Sequence, residues 1–152
     1  MNCENGKMKL EETAVNDTTS ISASGIKVEH GRIKGDLTLR TKQFALKVVQ
    51  LYSDLPARRE AKIIGDQVLR SGTSVAAQFR EAQRAKSVAD FVSKIEGALQ
   101  ELDETAYWLE LLEESALMPS ECLAFLKSEA DELMAILVTI VRKTKARAKK
   151  PA

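Results

Sequence analysis

Apolar residues recur at intervals of three, four and seven from residue 37 onward, which is the spacing of one face of an α-helix. The first such stretch follows Asp36, a residue type that caps helix N-termini. It runs to Pro56, which disfavours a helical conformation in the residue before it, so we predict that the first helix ends there. Its apolar stripe consists of Leu37, Phe44, Val48, Leu51 and Leu55.

A second helix is predicted to begin within residues 57–60 and to continue through a stretch of small side chains, RSGTSVAAQFREA at 70–82. The helical period persists through it, at Ile64, Val68, Ser71, Val75, Gln78 and Ala82. Because Ser71, Gly72, Ser74, Ala76 and Ala77 have little bulk, we expect a neighbouring helix to approach closely, with Gly97 and Ala98 as a matching shallow surface.

Two further helices follow. Ser87 is predicted to cap the third, with Asp90 in the capping-box position three residues later. Pro119 suits the first position of the fourth helix, which we expect to fray into a basic tail. The apolar stripes are Phe91, Ile95, Ala98, Leu102, Thr105, Leu109 and Leu112 in the third helix, and Leu126, Ala130, Leu133, Leu137 and Ile140 in the fourth.

Four long amphipathic helices with short connections predict an all-α protein, an antiparallel up-down-up-down four-helix bundle over residues 36–144. Residues 1–35 are rich in Asn, Thr, Ser, Gly and Lys without a sustained period, so we expect a disordered N-terminal arm. Residues 145–152 form the predicted basic C-terminal tail.

The composition also indicates where in the cell the protein is expected. No apolar run is long enough to span a bilayer, and the first residues lack the apolar core of a signal peptide, so we expect no membrane association. Cys3 and Cys122 are far apart and match no metal or redox spacing. These features favour a cytoplasmic protein with free thiols.

The net charge of +1 conceals an asymmetry. Residues 142–152 carry six basic residues and no acid, which leaves 17 basic against 22 acidic residues elsewhere, a balance of −5. Such a tail is typical of nucleic-acid contacts, although it also complements a helix C-terminus and aids solubility. The candidate nucleic-acid-binding residues are Arg142, Lys143, Lys145, Arg147, Lys149 and Lys150.

The small-residue stretch does not match a catalytic loop. It contains one glycine and lacks the preceding strand and the Gly-Lys-Ser/Thr ending of a phosphate-binding loop. The single histidine, His30, lies in the predicted arm, so neither Ser71 nor Ser74 has an evident general base. No Glu-x-x-His pair accompanies Glu81, Glu96, Glu101 and Glu104, so we expect neither a metal centre nor another cofactor.

We predict instead a structural polar network between the second and third helices. Arg70, Ser74 and Glu81 share one helical face, with Gln78 beside them and Glu101 or Glu104 as partners across the interface. A buried charge must be paired, and such pairs fix register more than they add stability. Among the aromatic residues, Tyr107 and Trp108 are candidates for a subunit interface or the core.

The segment LRSGTSVAAQFREAQRAKSVADFVSKIEGALQELDETAYWLELL closely resembles bacterial four-helix-bundle proteins of the 23S rRNA intervening-sequence, or S23 ribosomal protein-like, type. The resemblance extends from about Leu37 to Thr144, with Gln78 where the family usually has Asn. The residues that carry it are Arg70, Ser71, Ser74, Glu81, Ala82, Ser87, Phe91, Lys94, Glu101, Glu104, Thr105, Trp108 and Leu109.

The resemblance implies a left-handed bundle that assembles into a homopentamer and has no known catalytic activity. Some relatives are encoded inside rRNA insertions, and a more distant bundle relative, the accessory variability determinant of diversity-generating retroelements, engages RNA and a reverse transcriptase. Our leading hypothesis is therefore a non-enzymatic oligomeric scaffold that binds RNA through its basic tails. The alternative is a protein–protein interaction module, or an accessory subunit for a partner such as a reverse transcriptase.

Overall fold

The computed structural model describes residues 28–29, 32–33 and 36–150. A short antiparallel pair, β1 (Val28–Glu29) and β2 (Arg32–Ile33), precedes the helices. The helices are α1 (Asp36–Asp54), α2 (Arg59–Ala82), α3 (Val88–Glu114) and α4 (Ser120–Ala148), which confirms the predicted all-α class with four helices. The expected disordered arm falls, apart from β1 and β2, outside the described residues.

Local sequence sets the starts of α2, α3 and α4 within one or two residues of the prediction. Ser87 caps α3 by accepting a hydrogen bond from the Asp90 backbone N–H at 3.0 Å. The Asp90 carboxylate accepts a reciprocal bond from the Lys86 backbone N–H, one residue earlier than in a standard capping box. Pro119 is the cap residue of α4 and not its first helical residue.

The sequence predicted a turn between α3 and α4 but not its form. Ala116 has a φ of 52°, in the left-handed region, and its N–H donates to the Glu113 carbonyl at 2.9 Å. The N–H of Leu117 donates to the Leu112 carbonyl at 3.1 Å. These two bonds form a Schellman motif, in which the left-handed position is usually glycine. Ala116 fills that position here, which removed the usual sequence signal.

The predicted apolar stripes form the core. Every stripe residue of α3 and α4 is buried, as are Leu37, Phe44, Val48 and Leu51 of α1. Leu55 and Ile64 are only half-buried at the edge of the core. Successive helices run antiparallel, with α2 and α3 in the most extensive contact and α1 and α4 in a much smaller one.

The small residues allow close helix packing, but with two different partners. A Cβ atom at Gly72 would lie 2.7 Å from Val48 Cγ2, so Gly72 admits α1 and not α3. A Cβ atom at Gly97 would lie 3.2 Å from the Gln78 side-chain oxygen, so Gly97 faces α2. A buried hydrogen bond also links α2 to α3, because the Thr105 hydroxyl lies 2.8 Å from the Ser71 hydroxyl.

Cys122 corrects one expectation. It lies near the start of α4 and is disulfide-bonded, so the expectation of free thiols is wrong for this residue. Separation along the sequence does not exclude such a bond, because pairing depends on the distance between the two Cα atoms in the folded chain.

Among the described residues, no helix combines the length and apolar character needed to cross a bilayer.

Candidate functional site

The predicted basic tail is largely a continuation of α4. The helix extends to Ala148, four residues beyond the expected end of the bundle, so Arg142, Lys143, Lys145 and Arg147 lie on a helix. Lys149 caps it and Lys150 follows. With 100° per residue, Arg142, Lys145 and Lys149 fall on one outward face, spread over about 10 Å along the axis. All six cationic residues are exposed.

One of these cations contacts the neighbouring helix. Lys145 Nζ lies 2.6 Å from Glu96 Oε1 on α3, in a half-exposed salt bridge. The pair contributes little free energy at this exposure, so it marks the contact between α4 and α3 rather than holding it. The basic residues of α4 therefore project from a helix in contact with α3.

Three further cations come to this end of the bundle, and the sequence reasoning missed them. Arg80, Arg84 and Lys86 are exposed at the C-terminal end of α2 and in the α2–α3 connection. The 2.5 Å pair of Glu81 and Lys94 joins α2 to α3 at the level where Glu96 meets Lys145. We call these nine residues the basic end: Arg80, Arg84, Lys86, Arg142, Lys143, Lys145, Arg147, Lys149 and Lys150.

The signal for these three residues was present in the segment REAQRAK at 80–86, which has three cations and one acid. Its link to the basic residues of α4 can be recognised only once the arrangement of the helices is known. In an antiparallel bundle, the end of α2, the start of α3 and the end of α4 lie together.

The predicted polar network exists in a smaller form. Arg70 spans two carboxylates of α3, with Nη1 3.3 Å from Glu101 Oε2 and Nη2 bonded to Glu104. The Trp108 indole N–H also donates to Glu104, at 3.1 Å. The Arg70 side chain is 49% exposed, so this cluster lies at the surface of the α2–α3 groove rather than in the core.

Hydrogen bonds set the electrostatics of this cluster. Arg70, and after it Trp108, donates to Glu104 and thereby lowers the pKa of that carboxyl group. The bond to Glu104 likewise raises the pKa of the Arg70 guanidinium. Both groups are therefore charged across the whole physiological range.

Ser74, Gln78 and Glu81 do not join the cluster. The Ser74 hydroxyl donates to the Arg70 backbone carbonyl at 2.7 Å, and the Gln78 amide lies against Gly97. Glu81 pairs with Lys94. It shares a face with Arg70, but eleven residues of helix separate the two by about 16 Å, which exceeds the reach of their side chains.

The carboxylates considered for a metal centre are dispersed. Glu81 and Glu96 pair with separate lysines, whereas Glu101 and Glu104 share Arg70. Within residues 28–29, 32–33 and 36–150, no three His, Cys, Asp or Glu side chains are grouped so that they could hold a metal ion.

The two neighbouring aromatic residues have different environments. Trp108 is half-buried and packs against the core, while Tyr107 is 55% exposed. Their ring centroids lie 4.9 Å apart in an edge-on arrangement. Tyr107 is therefore an exposed aromatic side chain held in place by its neighbour.

Charge is unevenly distributed between the helices. α3 carries eight acidic residues and one lysine. Four of its exposed side chains, Asp103, Tyr107, Glu110 and Glu114, recur at intervals of four, three and four and form one stripe, which we call the acidic face. The basic end and the acidic face give the molecule two regions of opposite sign.

Most of the helical region matches a known protein family. The family model described as 23S rRNA-intervening sequence protein matches residues 36–139. This chain belongs to the 23S rRNA-intervening sequence protein family. The matched segment contains α1 to α3 and most of α4, and it ends three residues before Arg142. The resemblance seen in the sequence is thereby confirmed.

A solved structure supports the assignment. The chain is similar to a protein of unknown function from the S23 ribosomal protein family of Bacteroides thetaiotaomicron VPI-5482, with 36% identity and a TM-score of 0.66. The similarity covers 70% of this chain and 98% of the other. No curated protein matches the sequence.

Proposed function

We propose that this protein is a non-enzymatic, self-associating helical scaffold whose basic end binds RNA. The observation that carries the proposal is the ordered placement of nine cations at one end of the bundle. Among the described residues, Glu81 and Glu96 lie near them and each pairs with one lysine, while Asp90 accepts a hydrogen bond from the Lys86 backbone. Arg142, Lys143, Lys149 and Lys150 belong to no salt bridge among the described residues.

Electrostatics favours a polyanion at this end. Each phosphate contact with a lysine or arginine releases condensed counterions, which supplies most of the affinity in non-specific nucleic-acid binding. The acidic face on α3 repels the same ligand. Together they orient a nucleic acid toward the ends of α2 and α4 rather than along the side of the bundle.

Two considerations favour RNA over DNA. The family is described by its association with intervening sequences of 23S rRNA, and the resemblance already noted includes relatives encoded in such insertions. Self-association into the pentamer implied by that resemblance would bring five basic ends together. Several weak phosphate contacts on one assembly then act as a multivalent binder.

The test is RNA binding across a salt series with variants matched for charge. Arg142→Gln/Lys143→Gln removes two cations from the basic end, and the control Arg59→Gln/Lys62→Gln removes two exposed cations from the start of α2. For single-stranded RNA, the slope of log affinity against log salt should fall by roughly 0.7 per lost phosphate contact in the first variant only. These substitutions leave the Lys145–Glu96 pair in place.

Equal weakening by both variants would show diffuse charge attraction and would contradict a defined site. Failure of the unmodified protein to bind RNA at low salt would rule out the RNA-binding part of the proposal. Sedimentation of the same samples without RNA reports self-association separately.

The second candidate is a protein–protein interaction module, or an accessory subunit for a partner protein such as a reverse transcriptase. It rests on Tyr107, because exposed aromatic side chains held by neighbours are typical anchors of interfaces. Binding to such a partner would change little with salt and would weaken in Tyr107→Ala. RNA binding through the basic end would show the reverse pattern.

A further inference from the structure

The outward side of α1 is apolar where a solvent-facing helix is usually polar. Leu39, Leu46 and Val49 are exposed and recur at seven and three residues, on the side opposite the buried Phe44 and Val48. Nothing in α2, α3 or α4 covers them.

A residue of α4 extends this surface. Phe125 is exposed, and Lys47 Nζ lies 5.7 Å from the centre of its ring, so the aromatic side chain is beside α1. We call Leu39, Leu46, Val49 and Phe125 the apolar face. Clusters of exposed apolar side chains bordered by polar residues are typical of protein interaction sites.

Two lysines lie in or beside the apolar face, although Phe125 also has Glu121 and Glu129 one helical turn away on α4. Lys42 lies between Leu39 and Leu46 in the same stripe, and Lys47 borders Phe125. Neither Lys42 nor Asp103 of the acidic face takes part in a salt bridge among the described residues. Both charges are therefore available to a partner.

The acidic face of α3 has the complementary pattern. It places the exposed Tyr107 on the same helix face as Asp103, Glu110 and Glu114, with Lys127 of α4 near the last two. Each surface extends over ten or eleven residues of helix, about 15 Å. If the two surfaces met, the leucines of the apolar face would contact Tyr107, and its lysines would lie opposite the carboxylates of the acidic face.

We propose that the apolar face of one copy of this chain docks on the acidic face of a second copy. The inference rests on the self-association in the proposed function and names its surfaces. Because α1 and α3 are not neighbours in the bundle, the contact joins two different surfaces. Such a heterologous contact generates a closed ring or an open chain and not a two-fold dimer.

The first experiment compares two exposed aliphatic positions in the full chain. Leu46→Asp introduces a charge into the apolar face, whereas the control Ile63→Asp does so on α2 at a matched exposure of 54% against 58%. Sedimentation velocity over a concentration series should show at least about a tenfold weaker self-association for Leu46→Asp and no change for Ile63→Asp. Circular dichroism verifies that both variants keep their helices.

The second experiment tests which surfaces meet. Lys42→Glu and Asp103→Lys should each weaken assembly about two- to fivefold, because each places like charges across the contact. Both changes in one chain restore opposite charges at every interface, so the double variant should recover the original association. The two residues lie on helices that are not neighbours, so direct contact within one chain does not explain the recovery.

The outcomes separate this inference from the broader proposal. If Leu46→Asp associates as strongly as the unmodified protein, or if the double variant is no better than the single ones, the docking surfaces are wrong while self-association stands. If the unmodified protein is monomeric at all concentrations, both self-association and this interface are wrong. RNA binding by the monomer would still be measurable on its own.

Discussion

At the scale of single residues, the cluster around Arg70 shows how a surface ion pair is oriented. Arg70 reaches two carboxylates one helical turn apart, and the Trp108 N–H holds Glu104 toward it. The sequence predicted Arg70 with either glutamate because their helix faces oppose one another. It did not predict the tryptophan contact, because the orientation of an indole ring depends on how Trp108 packs against the core.

The lowered pKa of Glu104 gives this cluster a defined pH dependence. A carboxyl group whose pKa is lower in the folded than in the unfolded state stabilises the fold above the unfolded value and loses that effect as pH falls through the folded value. Glu104→Gln should therefore reduce the free energy of unfolding at pH 7, and the difference should shrink below about pH 4.5, the ordinary glutamate value. Urea unfolding at several pH values measures it.

The matched control for this measurement is Asp131→Asn, an exposed carboxylate on α4 outside the salt bridges of the described helices. Its effect should be smaller at pH 7. A difference between Glu104→Gln and the unmodified protein that persists unchanged at pH 3 would show that the substitution acts through packing and not through charge.

Two glycines should respond in opposite ways to the same change. Gly72→Ala places a methyl group against the branched Val48 side chain, and such overpacking costs about 1–3 kcal/mol, partly offset by roughly 1 kcal/mol of helix propensity. Gly97→Ala meets only the end of the flexible Gln78 side chain, so its propensity gain should leave stability unchanged or higher. Thermal unfolding of both variants decides this, and equal destabilisation would contradict it.

At the scale of elements, the helices and their buried faces followed from the spacing of apolar residues, because the 3.6-residue period decides which side is buried. Every predicted stripe residue of α3 and α4 is buried, although the prediction omitted the buried Val92 of α3 and Leu123, Ile136 and Val141 of α4. What the period could not provide is which helix faces which. Gly72 was expected to admit α3 and instead admits α1, because close approach depends on the arrangement of all four helices.

The turn after α3 illustrates a second limit. The sequence indicated a turn from Pro119 but not its form, since the left-handed position is occupied by Ala116 rather than glycine. Ala116→Gly should raise the free energy of unfolding by about 1 kcal/mol, because a left-handed conformation strains a residue with a Cβ atom. Ala124→Gly, at an exposed helical position of α4, should lower it by about 1 kcal/mol.

Chemical denaturation of these two variants gives opposite signs if the turn is formed as described. A loss of stability in both would show that Ala116 does not occupy the left-handed conformation in solution.

At the scale of the whole molecule, the candidate site was only partly visible in the sequence. The six cations after Val141 were evident as a run of like charge. Arg80, Arg84 and Lys86 were not, because only the antiparallel topology brings the α2–α3 connection beside the end of α4.

If both groups of cations belong to one binding surface, removing either group should have the same effect. Arg84→Gln/Lys86→Gln should flatten the salt dependence of RNA binding to the same degree as Arg142→Gln/Lys143→Gln, since each removes two cations from one surface. The salt series described above measures it. If only the α4 pair matters, the functional surface is restricted to the end of that helix.

The Lys145–Glu96 bridge has a consequence for selectivity. A flexible basic tail adapts its charges to any polyanion, but cations carried on a helix that is attached to its neighbour keep fixed separations. Less conformational freedom is then lost on binding, and ligands with phosphates at matching intervals are favoured over equally charged ones without them. If the basic end binds RNA as proposed, we expect it to discriminate among polyanions by the spacing of their phosphates, because helix α4 and its contact with Glu96 hold the cations at set intervals.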